Sequence, residues 1–175
     1  VIMKKFFKFF GAAFGLAFLV CSIYVVNLFS SKPFSLDHYL AKELIVNLVD
    51  SPEYMTYIGI VDFLNPITKH NSKLSNNTLE DSEADHIDTI KHLQILNYYT
   101  DDDLTEDQII TKKIAVFDTE NDINGFENFR FHSYPINQIS GAHLNAIEFM
   151  TDIHPIRSKR EANDYLKRVS QIGAS

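Results

Sequence analysis

An apolar run near the start of the chain constrains its fold most, because such a run lies in a membrane or is removed during export. Residues 6–29 form an almost unbroken apolar block, and the stretch 9–26 contains no charged residue. At about 1.5 Å per residue, a helix over that stretch approaches the thickness of the hydrocarbon layer of a bilayer. We therefore divide the chain into a signal-anchor or transmembrane segment at 1–31 and an extracytoplasmic part at 32–175.

The lysines around this block predict its orientation. Lys4, Lys5 and Lys8 precede the block, whereas only Lys32 follows it closely. The positive-inside rule then predicts a cytoplasmic N-terminus and a protein held at the cell membrane, with residues 30–175 in the periplasm or otherwise outside the cytoplasm. The membrane is thus the predicted partner of residues 6–29.

Three fates of the block are open. An uncleaved anchor is favoured because the apolar region of a cleavable signal usually runs about 7 to 15 residues. Cleavage after Ser22 is the second possibility. Lipidation of Cys21 is the third, although the bulky residues 18–20 fit a lipoprotein signal poorly. Since Cys21 is the single cysteine, the chain forms no intrachain disulfide and no cysteine-based zinc site.

Charge excludes one class of partner. All 23 acidic residues follow the apolar block, together with only 13 of the 16 lysines and arginines. A surface this acidic repels phosphate backbones, so no nucleic-acid partner is predicted.

Beyond the block, apolar spacing and helix-start signals predict an all-α fold. Ser51-Pro52, Thr105 with Gln108, and Ser158 with Glu161 are helix-start patterns, the last two of the capping-box type. The predicted helices are 35–49, 52–59, 84–99, 106–120 and one that begins at 159. Residues 62–82 and 121–157 lack helical spacing, and we expect a loop and an irregular segment there.

Residue patterns for catalysis are missing from the sequence. The seven histidines form no HExxH motif, and no two are four residues apart, so we expect them to face solvent or cap helices rather than bind zinc. The sequence also lacks a Gly-x-Ser-x-Gly elbow and a phosphate-binding glycine loop. We therefore predict no catalytic residue and no metal ligand in this chain.

One set of sequence motifs indicates more than composition and helix patterns do. It consists of Tyr134-Pro-Ile-Asn-Gln-Ile-Ser-Gly-Ala-His-Leu-Asn145, Phe149-Met150, His154-Pro-Ile156 and Ala162-x-x-Tyr165-Leu-x-Arg168, with Ser51-Pro52, Thr56, Gly59 and Leu104–Gln108 upstream. Together these residues resemble the bacterial family catalogued as domain of unknown function 885. The resemblance covers about residues 35–175, and 134–168 is its specific part.

The resemblance implies a larger protein. Members of that family are similar to zinc-dependent, mostly helical metallopeptidases that are secreted or are lipoproteins, and they are several times longer than this chain. Their metal ligands lie in a C-terminal half that nothing in residues 1–175 matches. Zinc is thus implied for the full-length family but not for this chain. We expect residues 32–175 to be the N-terminal helical part of a truncated domain, inactive alone and forming one wall of a peptide cleft.

Tyr134, Asn137 and Gln138 are the candidate substrate-binding residues. Pro135 favours extended backbone at Tyr134, and Ser140-Gly141 permits a tight turn, so both amides are expected on irregular backbone where they can bind a peptide. The alternative is that they tie down the backbone of their own loop. The alternative function is a membrane-tethered helical binding module with no enzymatic activity, and the reading frame beyond Ser175 discriminates the two.

Overall fold

The computed structural model describes residues 2–75, 78–132 and 141–172, with the side chains of 10–75, 78–132, 141 and 143–172. These residues form helices and turns and contain no strand, which confirms the predicted all-α class for the described part of the chain. The helices are α1 Ile2–Leu28, α2 Leu36–Val49, α3 Pro52–Ile58, α4 Asn65–Thr68, α5 Leu79–Tyr98, α6 Glu106–Phe129, α7 Ala142–Glu148 and α8 Lys159–Val169. Short 3-10 turns lie at Asp62–Leu64, His70–Ser72 and Asp101–Asp103, and a π-helical turn at Phe149–Ile153.

Helix α1 contains the predicted apolar block. Its 19-residue window Phe10–Leu28 is long and apolar enough to cross a membrane, and none of that window is buried within the protein. A signal sequence near an N-terminus has the same properties, so the helix alone does not distinguish an anchor from a signal. The last turns of α1 contact α2 and the chain before it: the Tyr24 and His38 ring centres lie 5.5 Å apart, and Phe34 N donates to Asn27 Oδ1 at 2.7 Å. Lys42 Nζ lies 5.3 Å from the centre of the ring of Phe29, the residue after α1.

The apolar core lies between α2, α5 and α6. Its fully buried members are Leu36, Tyr39, Leu96 and Tyr99, and Ile95, Leu104, Ala115 and Val116 pack around them. Helices α5 and α6 form an antiparallel hairpin, because Lys112 Nζ donates to Tyr99 O at one end and Arg130 pairs with Glu83 at the other. The Tyr99 hydroxyl donates to Pro33 O at 2.8 Å and thereby joins the hairpin to the chain that leaves α1. Burial raises the pKa of Tyr99 to about 12.

Two predicted boundaries are wrong, and both errors concern the hairpin. Helix α5 begins at Leu79 rather than near 84, because Thr78 Oγ1 accepts from Asp81 N and the Asp81 carboxylate accepts from Thr78 N. This capping box uses aspartate where the common pattern has glutamate or glutamine. The predicted loop at 62–82 is accordingly a series of short helical turns followed by the start of α5.

The predicted irregular segment at 121–157 is also wrong in part. Helix α6 continues to Phe129 because its last turns pack on α5: the His86 and Phe126 rings stack at 4.1 Å, and Arg130 Nη2 lies 3.5 Å from Glu83 Oε1. Tertiary packing thus outweighs the low helix propensity of Asn, Asp and Gly in this stretch. Further along, the residues of α7 and of the π-helical turn are helical as well.

Candidate functional site

The predicted substrate-binding residues Tyr134, Asn137 and Gln138 lie outside the described residues, so their proposed role stays a prediction. Within the described residues, the polar interior is the most unusual feature. Eight of the buried residues are polar or charged and seven, with Pro33, are apolar, so polar contacts hold much of the interior. Seven of the eight form one hydrogen-bonded group, the Arg168 cluster: Thr56, Asn65, His70, Asn71, His154, Asp164 and Arg168.

Arg168, in the last turn of α8, is the centre of this cluster and is 0% exposed. Its Nη1 donates to His154 Nδ1 at 2.9 Å, and its Nη2 donates to Thr56 Oγ1 at 3.0 Å and to His70 O at 2.5 Å. Its Nε donates to Lys73 O at 2.7 Å. The planar guanidinium therefore ties α8 to α3, to the segment 70–73 and to the residue that follows the π-helical turn.

No carboxylate accepts a hydrogen bond from Arg168 within the described residues, although two carboxylates lie in its surroundings. Burial lowers the pKa of Arg168 to about 10, and the negative charges of Glu53 and Asp164 oppose that decrease. The guanidinium is therefore charged at neutral pH. Both carboxylates are themselves held in place, because Ser75 N donates to Glu53 at 2.8 Å and Asn65 Nδ2 donates to Asp164 at 3.2 Å.

The two histidines of the cluster are neutral partners. His154 Nδ1 accepts from Arg168, so the ring proton is on Nε2, which lies 3.5 Å from Glu161 O. Burial lowers the pKa of both His154 and His70. The expectation that the histidines face solvent or cap helices is wrong for these two residues. Their partners lie at positions distant in sequence, and a single histidine carries no periodic signal of burial.

Residues 72–75 are fixed to the same cluster. Gln171 Nε2 donates to Ser72 O at 2.8 Å, and Gln171 Oε1 accepts from Leu74 N at 3.0 Å. Asp62 closes the other side, since its carboxylate contacts Arg157 at 3.1 Å and His70 at 3.5 Å. Helix α8 and the residues that flank it at both ends thus hold the segment 62–75 through their side chains.

The chemistry of the cluster is that of a structural support. Every buried side-chain nitrogen or oxygen among the described residues has a hydrogen-bond partner, so the cluster offers no spare donor or acceptor to a substrate. In the same part of the chain, no group of three histidine, cysteine or carboxylate side chains is arranged to hold a metal ion. The cluster therefore positions backbone segments, and its charge is used internally.

An open groove of about 550 Å³ lies where the chain leaves α1 and passes the start of α6. Lys32 and Asp103 approach to 3.8 Å at this groove, and Gln108 Nε2 donates to Asp37 at 2.7 Å. Its polar groups are thus largely paired with one another, as in the Arg168 cluster.

Sequence reasoning named several cluster members without placing them together. Thr56, His154 and Arg168 belong to the set of motifs that carries the family resemblance, and the structure joins them in one hydrogen-bonded group. One local signal was available: Asp164 and Arg168 are four residues apart on α8, on the same face as each other. Comparisons with family models, curated proteins and solved structures found no match to this chain.

Proposed function

We propose that this chain is the membrane-anchored, non-catalytic N-terminal portion of an exported zinc-metallopeptidase-like protein, and that its helices form one wall of a peptide cleft. In this proposal α1 is an uncleaved anchor and residues 30–175 lie in the periplasm or otherwise outside the cytoplasm. The observation that carries the proposal is a second apolar face on α6.

That face consists of Ile110, Ile114 and Phe117, which follow one another at helical spacing and are 58%, 58% and 65% exposed. The other side of α6 packs on α5 and α2 through Ala115 and Val116. A helix that is apolar on opposite sides is typical of one covered on both. The metal-binding half of the resembled family is the partner that we propose for this face.

The Arg168 cluster supports the second part of the proposal. In the sequence, α7 and the π-helical turn come soon after Tyr134, Asn137 and Gln138. The ring of Phe149, in that turn, has its centre 4.9 Å from the Arg168 guanidinium. The proposed peptide-binding segment is thus linked to a rigid hydrogen-bonded support. Binding groups that are held by such a support lose less conformational entropy when a ligand binds.

The test begins with the gene. We expect the reading frame to continue beyond Ser175 into a helix with histidine and glutamate ligands, and the full product to bind zinc and cleave peptides. Residues 1–175 alone should bind no stoichiometric zinc by elemental analysis. In the full product, Phe117→Glu should reduce peptidase activity, whereas Thr111→Glu, at an exposed polar position of α6, should not. A stop codon after Ser175, or one zinc per 1–175 chain, would refute the proposal.

The second candidate is a membrane-tethered helical binding module without enzymatic activity. The same α6 face favours it, because a separate protein can cover Ile110, Ile114 and Phe117 as well as a following domain can. This candidate expects the chain to be translated as it stands and the Phe117→Glu variant to lose a protein partner rather than peptidase activity.

A further inference from the structure

We propose that a surface on α2, α3, α4 and the turns between α3 and α4 rests in the headgroup region of the membrane, so that the extracytoplasmic part lies against the bilayer instead of standing away from it. This juxtamembrane surface consists of Leu44, Ile45, Val49, Tyr54, Tyr57, Ile60, Phe63 and Ile67. The inference rests on the proposed anchoring by α1 and adds a second, independent membrane contact.

The large apolar side chains of this surface are exposed to solvent. Within residues 44–67, eight large apolar or tyrosine side chains are about half exposed or more, and Ile60, Phe63 and Ile67 reach 78%, 75% and 81%. Single exposed apolar residues are common, but a concentration of them marks an interaction surface. The surface is also firmly backed, because Met55 and Thr56 on the inner side of α3 are buried and Thr56 belongs to the Arg168 cluster.

The position of the surface next to α1 identifies the membrane as its partner. His38, Lys42, Ile45 and Val49 recur at spacings of three and four residues and share one face of α2. The first two contact the last turns of α1 and the residue that follows it: the His38 ring lies 5.5 Å from the Tyr24 ring, and Lys42 Nζ lies 5.3 Å from the Phe29 ring centre. The α2 face that meets the end of α1 therefore continues into exposed apolar residues.

The residue types fit the membrane interface. Tyr54 and Tyr57 have rings that are apolar with a polar end, and such rings concentrate at headgroup level. Lys69 is exposed within the same part of the chain, where a lysine side chain can reach lipid phosphates, whereas Lys42 pairs with Glu43. Two of its acidic residues are already engaged, Glu53 with Ser75 and Asp62 with Arg157.

The uneven distribution of acidic residues favours an orientation in which the juxtamembrane surface, and not the α5–α6 hairpin, faces the membrane. The α5–α6 hairpin and its flanks, residues 78–132, carry fourteen acidic and four basic residues, whereas residues 33–69 carry five acidic and two basic ones. An anionic membrane surface repels the hairpin more strongly than the juxtamembrane surface. The tether through α1 also raises the effective concentration of lipid near this surface far above that of any second copy of the chain.

The experiment uses the absence of tryptophan from the sequence. Phe63→Trp in the full chain places one fluorophore on the juxtamembrane surface, and Phe117→Trp places one on α6 at a comparably exposed position. Each variant is reconstituted into phosphatidylcholine and phosphatidylglycerol vesicles with or without lipids brominated near the headgroup. We expect brominated lipid to quench Phe63→Trp by about twofold or more and to leave Phe117→Trp nearly unchanged.

Each outcome decides the question. Equal quenching of both tryptophans, or of neither, overturns the proposal. A blue-shifted Phe63→Trp emission without quenching assigns the surface to a protein partner or a second copy instead of lipid. Flotation of the vesicles separates the two proposals: loss of the chain from the floated fraction refutes the anchor and with it this inference, whereas retention without quenching refutes this inference alone. Ile60→Trp repeats the measurement should Phe63→Trp fail to fold.

Discussion

At the residue scale, Arg168 shows that geometry outweighs charge in this interior. Moving a guanidinium out of water costs several kcal/mol, and a direct ion pair is the usual compensation. Here the acceptors are three carbonyl oxygens, a hydroxyl and an imidazole nitrogen, from residues 14 to 116 positions away in sequence. The planar guanidinium, with its five N–H donors, matches such scattered acceptors, whereas an apolar side chain donates to none of them.

Arg168→Met should therefore lower the free energy of unfolding by about 3 to 5 kcal/mol, because several buried acceptors lose their donor at once. Arg168→Lys keeps the charge but not the planar guanidinium, and we expect a smaller loss of about 2 kcal/mol. Urea unfolding of the full chain in mild detergent, followed by circular dichroism, measures both effects. Arg160→Met, on the exposed side of the same helix, is the control and should change little. Equal midpoints for the Arg160 and Arg168 variants would contradict the assigned role.

The buried histidines predict a pH dependence of stability. Burial lowers the pKa of His154 in the folded protein, so on acidification the unfolded chain takes up a proton that the folded protein does not. The free energy of unfolding should fall as the pH drops below about 6.5, the pKa of an unperturbed histidine. His154→Gln keeps an acceptor for Arg168 and cannot titrate, so the fall between pH 7.5 and 5.5 should be smaller in this variant. His132→Gln, at an exposed position, should follow the parent protein. A His154→Gln slope equal to that of the parent would exclude this histidine as a cause.

At the element scale, predictions succeeded where a helix carries its own end signals. Helix α3 begins at Pro52 and ends before Gly59, whose φ of 68° favours glycine, as the sequence predicted. Thr105 and Gln108 form the predicted capping box of α6. At α8 only half of the expected box forms: Ser158 accepts from Glu161 N, but the Glu161 carboxylate accepts from Arg157 N instead.

Predictions failed where a distant segment decides the boundary. The last two turns of α6 are helical because α5 lies beside them, and no local pattern in Asn121–Phe129 indicates this. The start of α5 is different, since Thr78 and Asp81 are a local signal, a capping box with aspartate in place of the common glutamate or glutamine. The Arg168 cluster depended on contacts such as that between Thr56 and Arg168, 112 residues apart, and spacing rules do not extend over such distances.

The Thr78 cap should stabilise α5 measurably. Thr78→Ala removes the oxygen that accepts from Asp81 N, and we expect the free energy of unfolding to fall by about 1 kcal/mol. Thr89→Ala is the matched control on the same helix. Thr89 is half-buried and its hydroxyl donates to Asp85 O one turn earlier, away from the helix end, and alanine has the higher helix propensity, so this variant should change stability little. Chemical denaturation of both variants in parallel measures the difference, and equal losses would show that Thr78 does not cap the helix.

At the scale of the whole molecule, the apolar side chains are divided among three destinations. A small core lies between α2, α5 and α6, α1 carries the membrane-length apolar window, and many large apolar residues remain exposed. Phe129 and Phe131, at and beyond the end of α6, are 54% and 77% exposed, whereas Phe126 is partly covered by His86.

Such exposure predicts self-association of the purified chain. In mild detergent, the α6 face of Ile110, Ile114 and Phe117 should bring copies together, because contiguous exposed apolar side chains associate in water. Ile114→Glu with Phe117→Glu should shift the sedimentation of the protein-detergent complex towards the monomer. Thr111→Glu adds the same carboxylate to an exposed polar position and should leave association unchanged. A parent chain that sediments as a monomer at all concentrations would contradict this prediction.

The orientation of the whole chain should depend on three lysines. Lys4, Lys5 and Lys8 lie before the apolar block, and cytoplasmic retention of positive charge sets the orientation of a single span. A phosphatase that is active only outside the cytoplasm, fused after Ser175, should therefore be active in the parent chain. Replacing all three lysines by glutamine leaves Lys32 as the nearest flanking charge and should reduce that activity, because part of the population inserts in the opposite direction.

Mass spectrometry of the parent fusion should find α1 retained, since cleavage after Ser22 gives a chain that begins at Ile23. An active phosphatase on a chain that begins at Ile23 would support export and refute the anchor, whereas an inactive one on the intact chain would refute the orientation.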